Sequence, residues 1–212
     1  MKSKYGFYKV ATGNFITHVA DVKKNKEEII TLIKEASDKE VNVLAFPELA
    51  LTGYTAQDLF FHQELIEDEF KAIKEITSVI PESMIAFVGG IFSHLDKLYN
   101  VAFALVKDKI LGIVPKSYIP NYNEFYEKRW FSAGKNVKNT EVFIDNGKTN
   151  FGTNLIFDLG EMKIGCEICE DLWVINPPSN LLSLKGANVI VNLSASNEII
   201  GKRDYRKALV KT

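Results

Sequence analysis

The chain is sparing with several residue types. It holds two cysteines, three histidines, six prolines and two tryptophans in 212 residues. Cys166 and Cys169 are too few for a disulfide scaffold, and a reducing compartment is the simplest reading. His18, His62 and His94 lie far upstream of them, so the Cys-x2-Cys pair lacks the further ligands a zinc site needs. No apolar run approaches the roughly 18 residues of a membrane-spanning helix. The start, MKSKYGFYKV, lacks the apolar stretch of a signal peptide. Charge of one sign is also missing: 26 Lys+Arg stand against 27 Asp+Glu, a net charge of -1. Such a chain builds no global positive field for nucleic acid. The expectation is a cytoplasmic chain that binds neither nucleic acid nor membrane.

What is present argues for one well-packed domain. Hydrophobic residues make up 46% and charged ones 25%, with 14 Phe and 8 Tyr. These values exclude disorder, a coiled coil and a collagen-like chain. No linker or internal repeat divides the sequence, so residues 1–212 are read as a single domain.

Hydrophobic periodicity then orders the elements. Residues 5–12 read as a strand, and 22–39 as a helix burying Ile29, Ile30, Leu32, Ile33 and Ala36. VNVLAF (41–46) is a short buried strand ended by Pro47. A structured loop with a helical turn covers 47–61. A helix over 62–80 turns Ile66, Phe70, Ile73 and Ile76 inward and stops at Pro81. A buried strand at 84–92 is followed by strands near 98–107 and 110–114, joined by turns at Asp96-Lys97 and Asp108-Lys109. Residues 115–140 form a polar, aromatic insert with little strand signal. Strands are expected at 141–144, 152–158 and 161–168, with turns at Asn146-Gly147 and Leu159-Gly160. Pro177-Pro178 opens a helix ended by Gly186. ANVIVNL (187–193) is the last strand and 198–212 a charged helix. Crossovers mixed with hairpins argue for an α/β fold with mixed sheets.

Three residues share one kind of position. Glu48, Lys116 and Cys169 each stand just past the C-terminal end of an expected strand, where α/β proteins gather ligands and chemistry. Taken singly, each has an ordinary reading. Glu48 could be a cap or structural ion pair, Lys116 a solvated loop lysine, and Cys169 an inert core thiol or half of a redox pair. Together they form a workable catalytic set. A carboxylate takes and relays the thiol proton, an ammonium holds oxyanion charge, and a thiol attacks an acyl carbon. No histidine lies near these strand ends, which argues against a Cys-His pair. Cys166, inside the strand, belongs to the core.

FPELALTGY (46–54), PKSYIPNYNEFYEKRWF (115–131) and GCEICEDLW (165–173) resemble, in order, the three signature segments of the nitrilase (carbon-nitrogen hydrolase) superfamily. The second and third, with VNLSAS (191–196), look most like the glutaminase domain of glutamine-dependent NAD+ synthetases. The resemblance implies a four-layer αββα sandwich. It implies Glu48 as general base, Lys116 as the lysine that steadies the tetrahedral intermediate, Cys169 as nucleophile and Glu127 as a second glutamate beside them. It further implies that Tyr122 and Phe125 flank a bound L-glutamine, and that Glu170, Ser196 and Lys202 hold its amino acid head. No cofactor is implied for this domain. ATP and magnesium belong to a synthetase domain, the expected partner, of which this chain carries no SGGxDS-like loop. The family's further strands and helix after the segment matching 187–212 imply that the domain is incomplete at its C-terminus, and family members form homo-oligomers. Two rivals stand beside the glutaminase reading: another carbon-nitrogen hydrolase, such as an ω-amidase or carbamoylase, and an inactive scaffold domain.

Overall fold

The computed structural model of the chain describes residues 6–144 and 147–211. In chain order the elements are β1 (Val10–Thr12), α1 (Val22–Asp38), β2 (Val43–Ala45), α2 (Gln63–Val79), β3 (Ile85–His94), β4 (Lys97–Val106), β5 (Lys109–Pro115), β6 (Asn121–Tyr122), β7 (Phe125–Tyr126), β8 (Thr140–Ile144), β9 (Gly147–Phe151), β10 (Ile156–Asp158), β11 (Lys163–Ile168), α3 (Pro178–Leu184), β12 (Val189–Leu193) and α4 (Lys202–Lys211).

Local chemistry sets several of these boundaries. The Asp21 side chain accepts from the Lys24 amide and caps α1. Pro178 occupies the first turn of α3, and Gly186 follows its end at φ +100°, a left-handed conformation that glycine adopts freely. Along α1, Ile29, Ile33 and Ala36 recur at helical spacing and are buried.

Seven strands form one mixed sheet in the order β1-β2-β3-β4-β5-β9-β8, and β10-β11-β12 form a second. Parallel pairs (β1-β2, β2-β3, β5-β9, β11-β12) alternate with hairpins (β3-β4, β4-β5, β8-β9), as the mixture of crossovers and turns required. One core fills the space between α1, α2 and the large sheet, with Ile29, Ile33, Ile73, Ile76, Val88 and Phe103. A second core lies between the sheets, where Phe87, Ala102, Ala104 and Val114 meet Phe157, Ile164, Cys166 and Leu193. Helix α3 covers the far side of the small sheet, its buried Leu182 seated over Gly165. The layers therefore run α, β, β, α, as expected.

Some expectations need correction. Among the described residues the opening strand spans Val10–Thr12, and Tyr5, where it is expected to begin, lies outside them. The single strand expected at 152–158 is replaced by β9, which starts earlier at Gly147, and the short β10. Of the Asn146-Gly147 turn, Asn146 lies outside the described residues. The insert is less irregular than its composition suggests: β6 and β7 pair as a small hairpin. On α2, Ile73 and Ile76 are buried as expected, but Leu65, Glu69 and Ala72 share that face, while Ile66 and Phe70 are only half-buried. The shift has a local cause. Pairing of β2 with β3 ends at Phe87, so the Ile91 amide lacks a strand partner and donates to Glu69 Oε1 at 2.6 Å. Gly90 makes room for that carboxyl, because a Cβ there would stand 2.1 Å from Glu69 Oε1.

Candidate active site

Glu48 lies in the turn after β2, and its side chain is buried. This turn is fastened to β3: Phe46 N–H donates to the Phe87 carbonyl at 2.8 Å and Leu51 N–H to the Gly89 carbonyl at 3.3 Å. The contact is too close for any side chain at residue 89, since a Cβ on Gly89 would fall 2.3 Å from the Pro47 oxygen and 2.5 Å from the Leu49 nitrogen. Gly89 thus lets the Glu48 turn lie flat on the sheet.

Lys116 follows β5 directly, and its amide donates to the Asn100 carbonyl at 2.8 Å. The side chain is sealed from solvent (0% exposed), and its Nζ lies 2.6 Å from Glu48 Oε1 and 2.7 Å from Glu127 Oε1. Glu127 comes from a short 3-10 turn just after β7 and is also buried. Two carboxylates therefore share one ammonium inside the protein. Further donors divide the remaining lone pairs. Asn100 Nδ2 reaches Glu48 Oε1 at 2.7 Å and Glu127 Oε2 at 3.5 Å. The Tyr54 hydroxyl donates to Glu127 Oε1 at 2.6 Å, and the Ala195 amide to Glu48 Oε2 at 3.0 Å.

Cys169 is the first residue after β11. Its φ is +45°, a conformation that is sparsely populated for a residue with a Cβ and is held by the surrounding structure. The strand's regular alternation therefore ends at Ile168, and Cys169 opens a 3-10 turn running to Leu172. The Asp171 side chain accepts from the Ile168 amide at 3.0 Å, closing this turn.

Electrostatics follow from this burial. Desolvation works against the Lys116 ammonium, but the charges of Glu48 and Glu127 outweigh it and hold its pKa above the ordinary lysine value. Burial and the Glu48 charge raise the Glu127 carboxyl above its ordinary range, against Lys116 and the Tyr54 hydroxyl. Burial, then the Glu48 charge, pushes the Cys169 thiol upward; Lys116 pulls the other way. The direction of this shift favours the neutral thiol at Cys169. Burial also raises the Asp171 carboxyl, up to about 7, against the pull of the backbone N–H groups that it accepts from.

Above Cys169 opens a cavity of about 380 Å³, walled by Tyr122, Phe125, Trp173, Ile199 and Tyr205, with Glu170, Ser196 and Lys202 at its polar side. Tyr122 donates to Glu170 Oε2 at 2.7 Å, and Lys202 Nζ contacts Ser196 Oγ at 2.7 Å and Asn197 Oδ1. Lys202 also lies over the Trp173 ring, which is tilted against Tyr205. Every site residue expected from the sequence therefore falls in one of two adjoining groups, while Cys166 lies in the core between the sheets, as expected. Cys169, Glu48, Lys116 and Glu127 form the buried cluster, and Tyr122, Phe125, Glu170, Ser196 and Lys202 line the cavity. Ser196 caps no helix, because α4 begins only at Lys202. Trp173 also lines the cavity. Among the described residues no group of three or more His, Cys, Asp or Glu is placed to hold a metal ion, and no helix is long and apolar enough to cross a membrane.

Sequence reasoning missed Tyr54, Asn100, Asp171 and Tyr205. Asn100 carried a signal, as a lone amide in the otherwise apolar run NVAFALV. Tyr54 closes the FPELALTGY block. Asp171 and Tyr205 sit in charged stretches whose pattern does not mark them.

The carbon-nitrogen hydrolase family matches this chain over residues 9–205. The chain belongs to that family. Among relatives of this carbon-nitrogen hydrolase, the glutamine-dependent NAD(+) synthetase of Mycobacterium tuberculosis is 32% identical over 99% of this chain, which covers 31% of that protein. A crystal structure of a glutamine-dependent NAD(+) synthetase from Cytophaga hutchinsonii superposes with a TM-score of 0.85 at 27% identity, over 96% of this chain and 33% of that one. The structure of the Acinetobacter baumannii glutamine-dependent NAD+ synthetase, in complex with ADP, gives a TM-score of 0.82 at 28% identity, over 96% and 35% respectively. The chain thus spans about a third of the length of these relatives.

Proposed function

We propose that this carbon-nitrogen hydrolase domain hydrolyses the side-chain amide of L-glutamine and that, in a longer protein or assembly, its ammonia feeds a synthetase that makes NAD+. The observation that carries the chemistry is the sharing of Lys116 by Glu48 and Glu127 beside the Cys169 thiol. The relatives' common name supplies the substrate, and the cavity suits it. Glu170 offers a partner for an α-ammonium and Lys202 for an α-carboxylate, while Tyr122 and Phe125 flank the chain between.

The burial of the thiol shapes the mechanism. Cys169 is held as S–H, so its proton passes to Glu48 as sulfur bonds to the amide carbon, with no free thiolate formed beforehand. Lys116, and the Glu170 amide that follows the nucleophile, stabilise the oxyanion. The C–N bond then breaks as Glu48 returns the proton to nitrogen, releasing ammonia and leaving a γ-glutamyl thioester. Water, giving a proton to Glu48, adds to the thioester. Collapse breaks the C–S bond, and the proton returns to sulfur. Glutamate leaves, and the site is restored. Glu127 and Asn100 hold Lys116 and Glu48 throughout.

The test is ammonia release from L-glutamine by the 212-residue chain, with Cys169→Ala as control and carbamoyl amino acids and simple amides as competitors. Release from glutamine alone, lost in the variant, supports the reading. Equal turnover of a simple amide would move the assignment to another carbon-nitrogen hydrolase, and release that survives Cys169→Ala would end the thioester mechanism.

A further inference from the structure

We infer that Asp171 is a positioning residue for the hydrolytic site, its carboxylate setting the placement of the Cys169 thiol against the Lys116 ammonium by tying together the two segments that carry them. The inference rests on the glutaminase reading above.

The Asp171 side chain is buried (1% exposed) and accepts three backbone N–H groups. Oδ2 takes those of Ile168 at 3.0 Å and Ser117 at 3.2 Å, and Oδ1 takes that of Tyr118 at 2.8 Å. Ile168 immediately precedes Cys169; Ser117 and Tyr118 immediately follow Lys116. These segments leave different sheets. β11 pairs with β10 and β12, while β5 pairs with β4 and β9, so no backbone ladder joins them. Here the carboxylate is a polar link between the sheets, beside the bond from the Ala195 amide to Glu48 Oε2.

A capping role accounts for only one of the three bonds. The 3-10 turn at Cys169 needs the Ile168 amide closed, and that bond alone would do it. The Ser117 and Tyr118 amides lie in the segment that follows β5 of the other sheet and contribute nothing to the turn. Gripping the amide one residue before Cys169 also helps hold that residue at its unfavourable φ of +45°. The chemistry requires a carboxylate, because only its two acceptor oxygens can meet donors on both sides. Asparagine has one acceptor and would turn its N–H₂ toward at least one backbone N–H.

The experiment compares the 212-residue chain with Asp171→Asn and Asp171→Glu, each first checked for cooperative thermal unfolding. Two readouts are taken: kcat and KM for glutamine, and the rate at which iodoacetamide alkylates Cys169, followed by mass spectrometry with Cys166 as internal reference. A misplacement near 1 Å is expected to lower kcat about 100-fold in Asp171→Asn while KM stays within about threefold, since the cavity walls are untouched. The alkylation rate of Cys169 should change at least about fivefold, a small share of the same misplacement, because the thiol's position relative to Glu48 and Lys116 is altered. Asp171→Glu keeps the charge but moves the acceptors by one methylene, and it should also lose turnover. It serves as the test if Asp171→Asn does not fold. Unchanged kcat in a folded variant overturns the inference, as does a rise in KM with kcat preserved. If the wild-type chain releases no ammonia, the glutaminase reading fails on its own. Alkylation of Cys169 then decides the positioning role, and an unchanged rate in both variants refutes it.

Discussion

Replacing Lys116 by methionine removes the one ammonium shared by two buried carboxylates while keeping most of the side chain's volume. Its Nζ lies 2.6 Å from Glu48 and 2.7 Å from Glu127, and all three side chains are essentially sealed from water. Removing one partner of a buried ion pair costs about 3–5 kcal/mol, because the remaining charge is left uncompensated. Here two like charges would remain, bridged by the Asn100 amide alone. The strain is relieved when one carboxyl takes up a proton. Glu127 already has a raised pKa in the wild type, and losing Lys116 raises it further. A carboxyl whose folded pKa exceeds its unfolded value binds more protons in the fold, so stability falls as pH rises between the two values. The deficit of Lys116→Met relative to wild type should therefore widen from pH 5 to pH 8, by up to about 1.4 kcal/mol per pH unit where the proton is held only in the folded variant. Urea unfolding at the two pH values measures this, and adding Glu127→Gln should recover part of the loss. A deficit below about 1 kcal/mol, equal at pH 5 and pH 8, would refute the idea that Lys116 neutralises both carboxylates.

Three further outcomes are expected. Gly89→Ala should destabilise the fold by about 1–3 kcal/mol and abolish most ammonia release, because the clashing atoms are backbone and the turn carrying Glu48 must move. Near-wild-type turnover would show that this turn shifts harmlessly. Glu69 has one oxygen bonded to the Ile91 amide and the other without a partner, and burial raises its pKa well above the ordinary value. Wild-type stability should thus fall relative to Glu69→Gln as pH rises from about 4, by up to about 1.4 kcal/mol per unit, whereas a pH-independent difference in urea midpoints would contradict it. Glu170→Gln should raise KM for glutamine about tenfold or more with a smaller change in kcat, as loss of a charged contact to an ammonium does, and an unchanged KM would remove Glu170 from the substrate's head.

Much of this arrangement was legible in the sequence, for physical reasons. The short apolar run ended by Pro47, the helix stopped before Pro81, and a turn near Asp108, one residue earlier than the expected Asp108-Lys109 pair, locate strands and helix ends because backbone sterics act locally. Glu48, Lys116 and Cys169 were marked by ending such runs, where charge is unexpected, and the family's signature blocks supplied Glu127 and the cavity residues. What stayed hidden depends on long-range pairing. Glu69 faces inward on α2 because β3 loses its neighbour beyond Phe87, which no helical period encodes. Asp171 looks like one more acid in a charged stretch until two sheets bring Ser117 and Tyr118 to it. The β6-β7 hairpin is two residues on each side, too short to leave a periodic trace.

The division of the cluster between two sheets has a mechanical consequence. Glu48 and Lys116 ride on the large sheet and Cys169 on the small one, and the layer between them is apolar packing crossed by the Asp171 bonds to Ser117 and Tyr118 and by the Ala195 bond to Glu48. The thiol-to-ammonium spacing is therefore a gauge of how the sheets are seated on each other. In the glutaminase proposed above, catalytic competence is tied to inter-sheet alignment, which the bonds of Asp171 and Ala195 hold in register.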